Sequence, residues 1–301
     1  MNNGHANVKV GGDSSVVKSG DIHSLSGLSS RQMSDQEFMR AADGTHIYGD
    51  AFTATEIEGW YSDESEGYAG LFETQVNKDY PYFAVNELHG WSQLPRARVF
   101  KNVLGLGAAH GNELRPLQGR AEHVTVLEPT DAFNRDMIYG VPASYVHPGT
   151  NGAMPFEDGA FDLITCFGVL HHIANVSFVI KEMGRVTRTG GWMLVREPVV
   201  SMGDWRHPRM GLTKRERGIP PQLLDQRIKE AGFEIRRFSW CFTPLFLRTI
   251  GKLVSKPLNS PTMSRLDGFT ARLLAFNHRY HAQNWWQKIR PACAFVVAQK
   301  V

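Results

Sequence analysis

Residues 103–111 read Val-Leu-Gly-Leu-Gly-Ala-Ala-His-Gly, an apolar run that breaks into glycine. Gly105, Gly107 and Gly111 let the backbone turn sharply and bring N–H groups close to a ligand. About twenty residues on, after the apolar run 124–127, stands Glu128, a carboxylate able to accept from both vicinal hydroxyls of a ribose. A helix starting near Gly111 would point its positive end at the same place. Together these residues suit a nucleotide-like cofactor, although a tight strand–helix turn with a solvated glutamate has the same local pattern. Acid–base chemistry is available from the adjacent His171 and His172, after the apolar run 161–167, and from Glu197 at the tip of 191–196. Each has a plainer reading: one histidine packs locally, and Glu197 binds backbone in the turn before Pro198. Residues 201–220 hold five Lys/Arg against two acids, with Trp205 among them. The forks of Arg206, Arg209 and Arg217 suit a phosphate, carboxylate or sugar-containing substrate, while a solvated basic loop has the same composition. Tyr61 and Tyr68, on an early helix, either form a lid over the same crevice or simply pack.

The elements that must position these groups alternate from residue 99 onward. Short apolar segments at 99–106, 123–127, 144–146, 161–167 and 191–196 read as strands buried on both faces. Helical patterns at 111–119, 131–138 and 176–187 separate most of them, the last stopped by Thr189, Gly190 and Gly191. Such alternation implies a parallel sheet with helices on both faces. A helix at 221–231 and strands at 233–238 and 293–298 complete the series. Between those two strands, 241–290 is too long for a hairpin and carries helical patterns at 245–256 and 264–282. In the first of these, Arg248, Lys252 and Lys256 share a stripe, which permits peripheral contact with an anionic membrane as well as ordinary packing. Upstream, capping boxes at Ser34/Glu37 and Thr55/Glu58 open two helices, and a third covers 83–94. Residues 1–30, rich in Gly, Ser and Asn, are expected to be disordered. The chain divides into that tail, a helical cap at 31–98 and a main domain at 99–301.

The bulk properties exclude several classes. The 301 residues are 42% hydrophobic and 21% charged, with a formal charge of +3, too small to argue for nucleic acid. Three cysteines at wide spacing make neither a disulfide framework nor a zinc pattern, so no metal is expected. No apolar run approaches the roughly 20 residues needed to span a bilayer, and no signal-peptide pattern opens the chain. A cytoplasmic location is the expectation.

Two longer runs narrow the cofactor. Residues 154–173 join Met154, Pro155 and Phe156 to a strand and then to Leu170, His171, His172 and Ile173. Residues 186–198 join a helix end, the Gly190-Gly191 turn and a buried strand. With the glycine loop and Glu128, they resemble the class I S-adenosylmethionine-dependent methyltransferases of the small-molecule, Leu-Pro-Phe/His-His-Ile type, over about residues 99–238. The resemblance implies an α/β, Rossmann-like, mostly parallel seven-stranded sheet of order 3-2-1-4-5-7-6, its last strand antiparallel. It implies that Gly105, Gly107, Ala109 and Gly111 line the methionine end of S-adenosyl-L-methionine. Glu128 would hold the ribose, Met154 and Phe156 would pack near adenine, and Phe167 and Gly168 would sit beneath the cofactor. His171 and His172 would face the substrate; His110 is a cofactor-side contact. Two positions depart from the pattern. Gly105 stands where an acid is usual, and Thr150-Asn151 where an aspartate reads adenine, a role Asn151 can fill through its side-chain oxygen. The expected activity is methyl transfer to a small molecule. A non-catalytic binding protein of this fold and a nicotinamide dehydrogenase are the rivals. No Asn-Pro-Pro-Tyr-type run follows the fourth strand to grip a flipped base.

Overall fold

The computed structural model describes residues 33–72 and 80–301, without the side chains of 65–72. The expected tail at 1–30 and the side chain of Tyr68 therefore lie outside the described residues. Residues 34–301 form one unit around an eight-stranded sheet of order β3-β4-β2-β1-β5-β6-β8-β7. The strands are β1 (Phe100–Leu106), β2 (Ala121–Leu127), β3 (Met137–Ile138), β4 (Val141–Val146), β5 (Phe161–Phe167), β6 (Thr187–Pro198), β7 (Phe233–Cys241) and β8 (Cys293–Lys300). Setting the two-residue β3 aside, the order is the expected one. β1 runs parallel to β2 and β5, β5 to β6, and β8 is antiparallel to both β6 and β7. β5 is buried at every position, Asp162 and Thr165 included, as a central strand covered on both faces must be.

The helices are α1 (Asp35–Ala41), α2 (Ala54–Phe72), α3 (Phe83–His89), α4 (Val176–Val186), α5 (Pro221–Glu230), α6 (Pro244–Ile250) and α7 (Pro261–Leu274). One core cluster joins α4 and α5 to one face of the sheet through Val179, Ile180, Met183, Leu224 and Ile228. The opposite face buries Val85, Trp91, Phe100, Leu114 and Phe295. In the insert between β7 and β8, Asp267 of α7 accepts from the backbone N–H groups of Phe242 and Thr243, both at 2.7 Å, and so fastens α7 to the end of β7.

Several expected helices are shorter, each for an identifiable reason. In place of 111–119 there is a 3-10 turn, Asn112–Leu117, with Pro116 inside it. Proline lacks the N–H that would continue an α-helix, so no long dipole points at the glycine loop. In place of 131–138 there is a 3-10 turn, Asp131–Phe133, and then a hairpin. Tyr139 (φ 47°) and Gly140 (φ 79°) both adopt left-handed backbone between β3 and β4, as a two-residue hairpin turn of the primed type requires. α2 is boxed by Thr53 and Glu56, two residues before the expected pair. The helix expected at 83–94 stops at His89. α6 ends at Ile250, so Lys252 and Lys256 do not continue the helical stripe of Arg248. α7 covers 261–274 rather than 264–282. Among the described residues no helix is long and apolar enough to cross a membrane.

Candidate active site

The C-terminal ends of β1, β2 and β5 frame a cavity of about 570 Å³, where the strand ends of an open α/β sheet hold their ligands. Gly107, Glu128, Met154 and Gly168 line its floor and sides, and Trp60, Tyr61 and Glu64 of α2 line the facing wall. Gly107 has φ 60°, and a Cβ there would lie 2.7 Å from Cγ2 of Val169. Only glycine permits this close approach of the β1 and β5 loops. Ala109 takes φ 47° without that freedom. It is held from both sides: its N–H donates to Oε2 of Glu128 (3.2 Å), and its carbonyl accepts from the Tyr145 hydroxyl (2.9 Å).

Glu128 is 3% exposed. Burial pushes its carboxyl up to about 7, against the opposing pull of the Ala109 N–H and His147. Gly105 does not line the cavity. A Cβ there would lie 2.9 Å from Cβ of Ala108 and 3.3 Å from Leu114, so an acid does not fit this packing. A buried carboxyl stands close by in sequence instead. Glu113 has no hydrogen-bond partner for Oε1, and burial raises its carboxyl to about 8. Asn151 is also turned away: its side-chain oxygen accepts from the Ala153 N–H at 3.0 Å, and Thr150 rather than Asn151 lines the cavity. His110 stands edge-on to Phe133, which does line it. Ala109, Gly111, Phe156 and Phe167 lie behind the lining, Phe156 and Phe167 packed on other aromatic rings.

The two histidines divide their roles. His171 is 8% exposed, and its Nδ1 lies 2.8 Å from Oε2 of Glu197. Glu197 is fully buried; its Oε1 accepts from the N–H groups of Val169 (2.8 Å) and Leu170 (2.9 Å). Both carboxylate oxygens of Glu197 are thus engaged by the 169–171 turn and the Cys166 thiol, and Glu197 does not line the cavity, so it is no base facing substrate. Burial pushes the Glu197 carboxyl up, but the His171 bond and these N–H groups outweigh it and hold it ionised. Burial and the neighbouring His172 push the His171 imidazole down.

His172 lines the cavity. Its Nδ1 lies 2.7 Å from Oε2 of Glu64. Glu64 in turn accepts from the Thr213 hydroxyl (2.7 Å) and the Arg215 N–H (3.0 Å). Burial lowers the His172 imidazole, but the bond to Glu64 and the charges of Glu216 and Glu197 outweigh it, and the net shift is upward. With an ionised Glu64 as acceptor, Nδ1 carries the proton and Nε2 is left as the basic nitrogen. The Trp60 indole N–H donates to the His172 carbonyl at 2.6 Å. Trp60 and Glu64, four apart on one face of α2, therefore clamp the histidine turn. Sequence reasoning singled out neither; their shared face was the available signal. His171, His172 and Glu216 offer donor atoms within 4.8 Å of one another, which is room for a cation. Both Nδ1 atoms, however, already face carboxylates.

The basic loop holds itself rather than the cavity. The Arg217 guanidinium is buried and donates to the carbonyls of Tyr48, His171, Ile173 and Ala174. Arg209 donates to the carbonyls of Met202, Thr213 and Glu216. Arg206 pairs with Asp204 and Asp35. The Trp205 ring stacks on Tyr48 at 5.1 Å. The expected anion-binding role of these residues is corrected accordingly: carbonyl-rich turns and local carboxylates consume their donors. Among the described residues, Tyr61 is the one expected substrate contact that lines the cavity.

Residues 104–195 match the methyltransferase domain family. The chain is 30% identical over 115 residues to an uncharacterized 37.1 kDa protein in transposon TN4556 of Streptomyces fradiae, covering 36% of this chain and 32% of that protein. It is 26% identical over 160 residues to the demethylmenaquinone methyltransferase of Roseiflexus castenholzii, covering 44% of this chain and 67% of the relative. The chain thus spans about a third of the first relative's length. A solved structure from Listeria monocytogenes, described among the S-adenosylmethionine-dependent methyltransferases, shares the fold with a TM-score of 0.50 at 16% identity, covering 72% of this chain and 99% of that one. The matched segment runs from the end of β1 through β2 and β5 into β6, so the part of the chain that frames the cavity is similar to a methyltransferase domain.

Proposed function

We infer that the cavity binds S-adenosyl-L-methionine and that the chain transfers its methyl group to a small-molecule acceptor. The observation that carries this reading is the juxtaposition, in one cavity, of Glu128 and Gly107 with the His172–Glu64 pair. The residues fit the cofactor: Gly107 leaves space no Cβ could share, and Oε1 of Glu128 is not used by the Ala109 N–H. Bound there, the cofactor would supply an electrophilic methyl on a sulfonium, so the protein's task is mainly to position the nucleophile. Glu128 accepts from the ribose hydroxyls. His172 takes the acceptor's proton at Nε2, while Glu64 holds the Nδ1 proton and stabilises the resulting imidazolium. Trp60 and Tyr61 keep water from that side. Among the described residues the titratable groups lining the cavity are Glu64, Glu128, His172 and Tyr61, with no Lys or Arg. A neutral acceptor with an ionisable O–H, N–H or activated C–H fits that lining better than an anion.

The test has two arms. Calorimetry should show micromolar S-adenosylmethionine binding that NAD does not reproduce; no binding to the former would leave a non-catalytic protein of this fold. With an acceptor identified among co-purified ligands, His172→Gln should lower kcat by roughly 100-fold, within the range for a lost general base, with cofactor affinity unchanged. An unchanged kcat would remove His172 from the reaction.

A further inference from the structure

α7 is built inside out. Its inner face carries Ser264, Asp267 and Ala271, all buried, and Gly268, where a Cβ would lie 3.1 Å from the His89 ring. Its outer face carries Leu266, Phe269 and Leu273, and the turn after it Phe276; these are exposed, Phe269 by 63% and Phe276 by 73%. At 100° per residue Leu266, Phe269 and Leu273 fall within one narrow arc, and Phe276 follows in the turn after the helix. The arc does not end with the helix. The Asn277 amide donates to the carbonyls of Trp286 and Ile289, both at 2.9 Å, which brings the exposed pair Trp285 and Trp286 beside Phe276. A soluble helix with its large apolar groups outward and its small groups inward has a second surface to cover.

Charge says what covers it. Residues 241–290 contain eight Lys/Arg and one acid, in a chain whose total is only +3. That acid, Asp267, is buried against backbone N–H groups. Among the exposed cations, Arg265 and Arg272 border one side of the apolar arc on α7, Arg248 sits on α6 and Lys288 follows the tryptophans. Outward-facing Leu and Phe, a paired Trp and an excess of cations on the same insert are what an interfacial helix presents to anionic headgroups.

We propose that the 241–290 insert docks this protein on an anionic phospholipid surface, with the outer face of α7 and Trp285–Trp286 inserted among the headgroups. The surface differs from the expected 245–256 stripe, which α6 is too short to form. It is independent of the methyl-transfer reading, because binding is read without turnover.

The test is co-sedimentation of the full chain with phosphatidylglycerol–phosphatidylcholine vesicles and with phosphatidylcholine alone. The expected result is partitioning onto the anionic vesicles only, weakened by salt, with a blue shift of tryptophan emission. Phe269→Ser with Phe276→Ser should lower partitioning by about tenfold or more, given the apolar area withdrawn. Arg265→Glu with Arg272→Glu should lower it on anionic vesicles by a similar factor while leaving the apolar face intact. Both pairs are exposed, so unchanged melting checks the fold. Absence of partitioning, or equal partitioning of native and variant chains, overturns the proposal. So does a dimer, found by sedimentation equilibrium without lipid, that the Phe variants dissociate; that result assigns the face to a second copy of this chain.

Discussion

If Glu128 grips the ribose, cofactor affinity must depend on pH, because the carboxyl titrates where the experiment is done. Burial holds it at about 7, while the Ala109 N–H and His147 pull it down only partly. Only the ionised form accepts from both ribose hydroxyls. The apparent dissociation constant then scales as one plus the ratio of protonated to ionised carboxyl. With a value of about 7, binding at pH 6 is roughly tenfold weaker than at pH 8, and about one proton is released on binding at pH 6. Calorimetry in two buffers of different ionisation enthalpy measures both quantities. Glu128→Gln serves as the reference, since it subtracts any titration of the ligand itself. That variant should bind without the pH slope. At pH 8 it should bind about 30-fold more weakly, having exchanged two charge-assisted hydrogen bonds for neutral ones at roughly 1 kcal/mol each. Native affinity constant within twofold from pH 6 to 8, or a slope that survives in the variant, would refute the assignment of Glu128.

Other outcomes follow from the same geometry. Glu113 is raised by burial to about 8 from an ordinary 4.5. The folded state therefore holds a proton the unfolded chain has lost, and stability falls as pH rises between those values, by up to about 1.4 kcal/mol per unit. Glu113→Gln should flatten that slope in urea titrations at pH 6, 7 and 8; parallel slopes would count against it. Gly107→Ala places a methyl 2.7 Å from Val169 in left-handed backbone and should cost about 1–3 kcal/mol of stability, with loss of cofactor binding by calorimetry. Arg217→Met strips the carbonyls of Ile173 and Ala174 of their buried donor. It should destabilise the fold by about 3 kcal/mol, read as an earlier urea midpoint, and a surface arginine would show no such shift. The His172 imidazole is lifted by Glu64 and its neighbouring carboxylates despite burial. The rate should therefore climb through a pH above the ordinary histidine value, and Glu64→Gln should move that limb downward.

The sheet was legible because its signal is local. β1, β2, β5 and β6 carry apolar runs whose length and bounding glycines announce buried strands, and their alternation with helices announces a parallel sheet; the strand order was implied by the family resemblance. Glu128, Gly107 and Gly168 could be placed at the cavity for the same reason: strand ends in such a sheet converge. The helical patterns at 111–119 and 131–138 are equally local, yet the chain forms 3-10 turns there. Pro116 and the paired left-handed residues Tyr139 and Gly140 override the helical pattern there.

The chain's own order of residues thus determined the sheet, the glycine turn and the strand-end carboxylate, since each depends on neighbours within a few positions. Beyond that carboxylate, tertiary structure alone decided which polar groups face the cavity. Arg206, Arg209 and Arg217 look like anion binders in sequence, yet their donors are taken by Asp204, by carbonyls of their own loop and by the histidine turn. Glu197 looks like a base, yet three N–H groups and His171 absorb it. Glu64 looks like an ordinary helix carboxylate, yet it lies 2.7 Å from His172, 108 residues away. The physical reason is that a buried donor or acceptor must be satisfied by whatever folding brings beside it, and those partners are set by packing across the whole chain, not by the residues on either side.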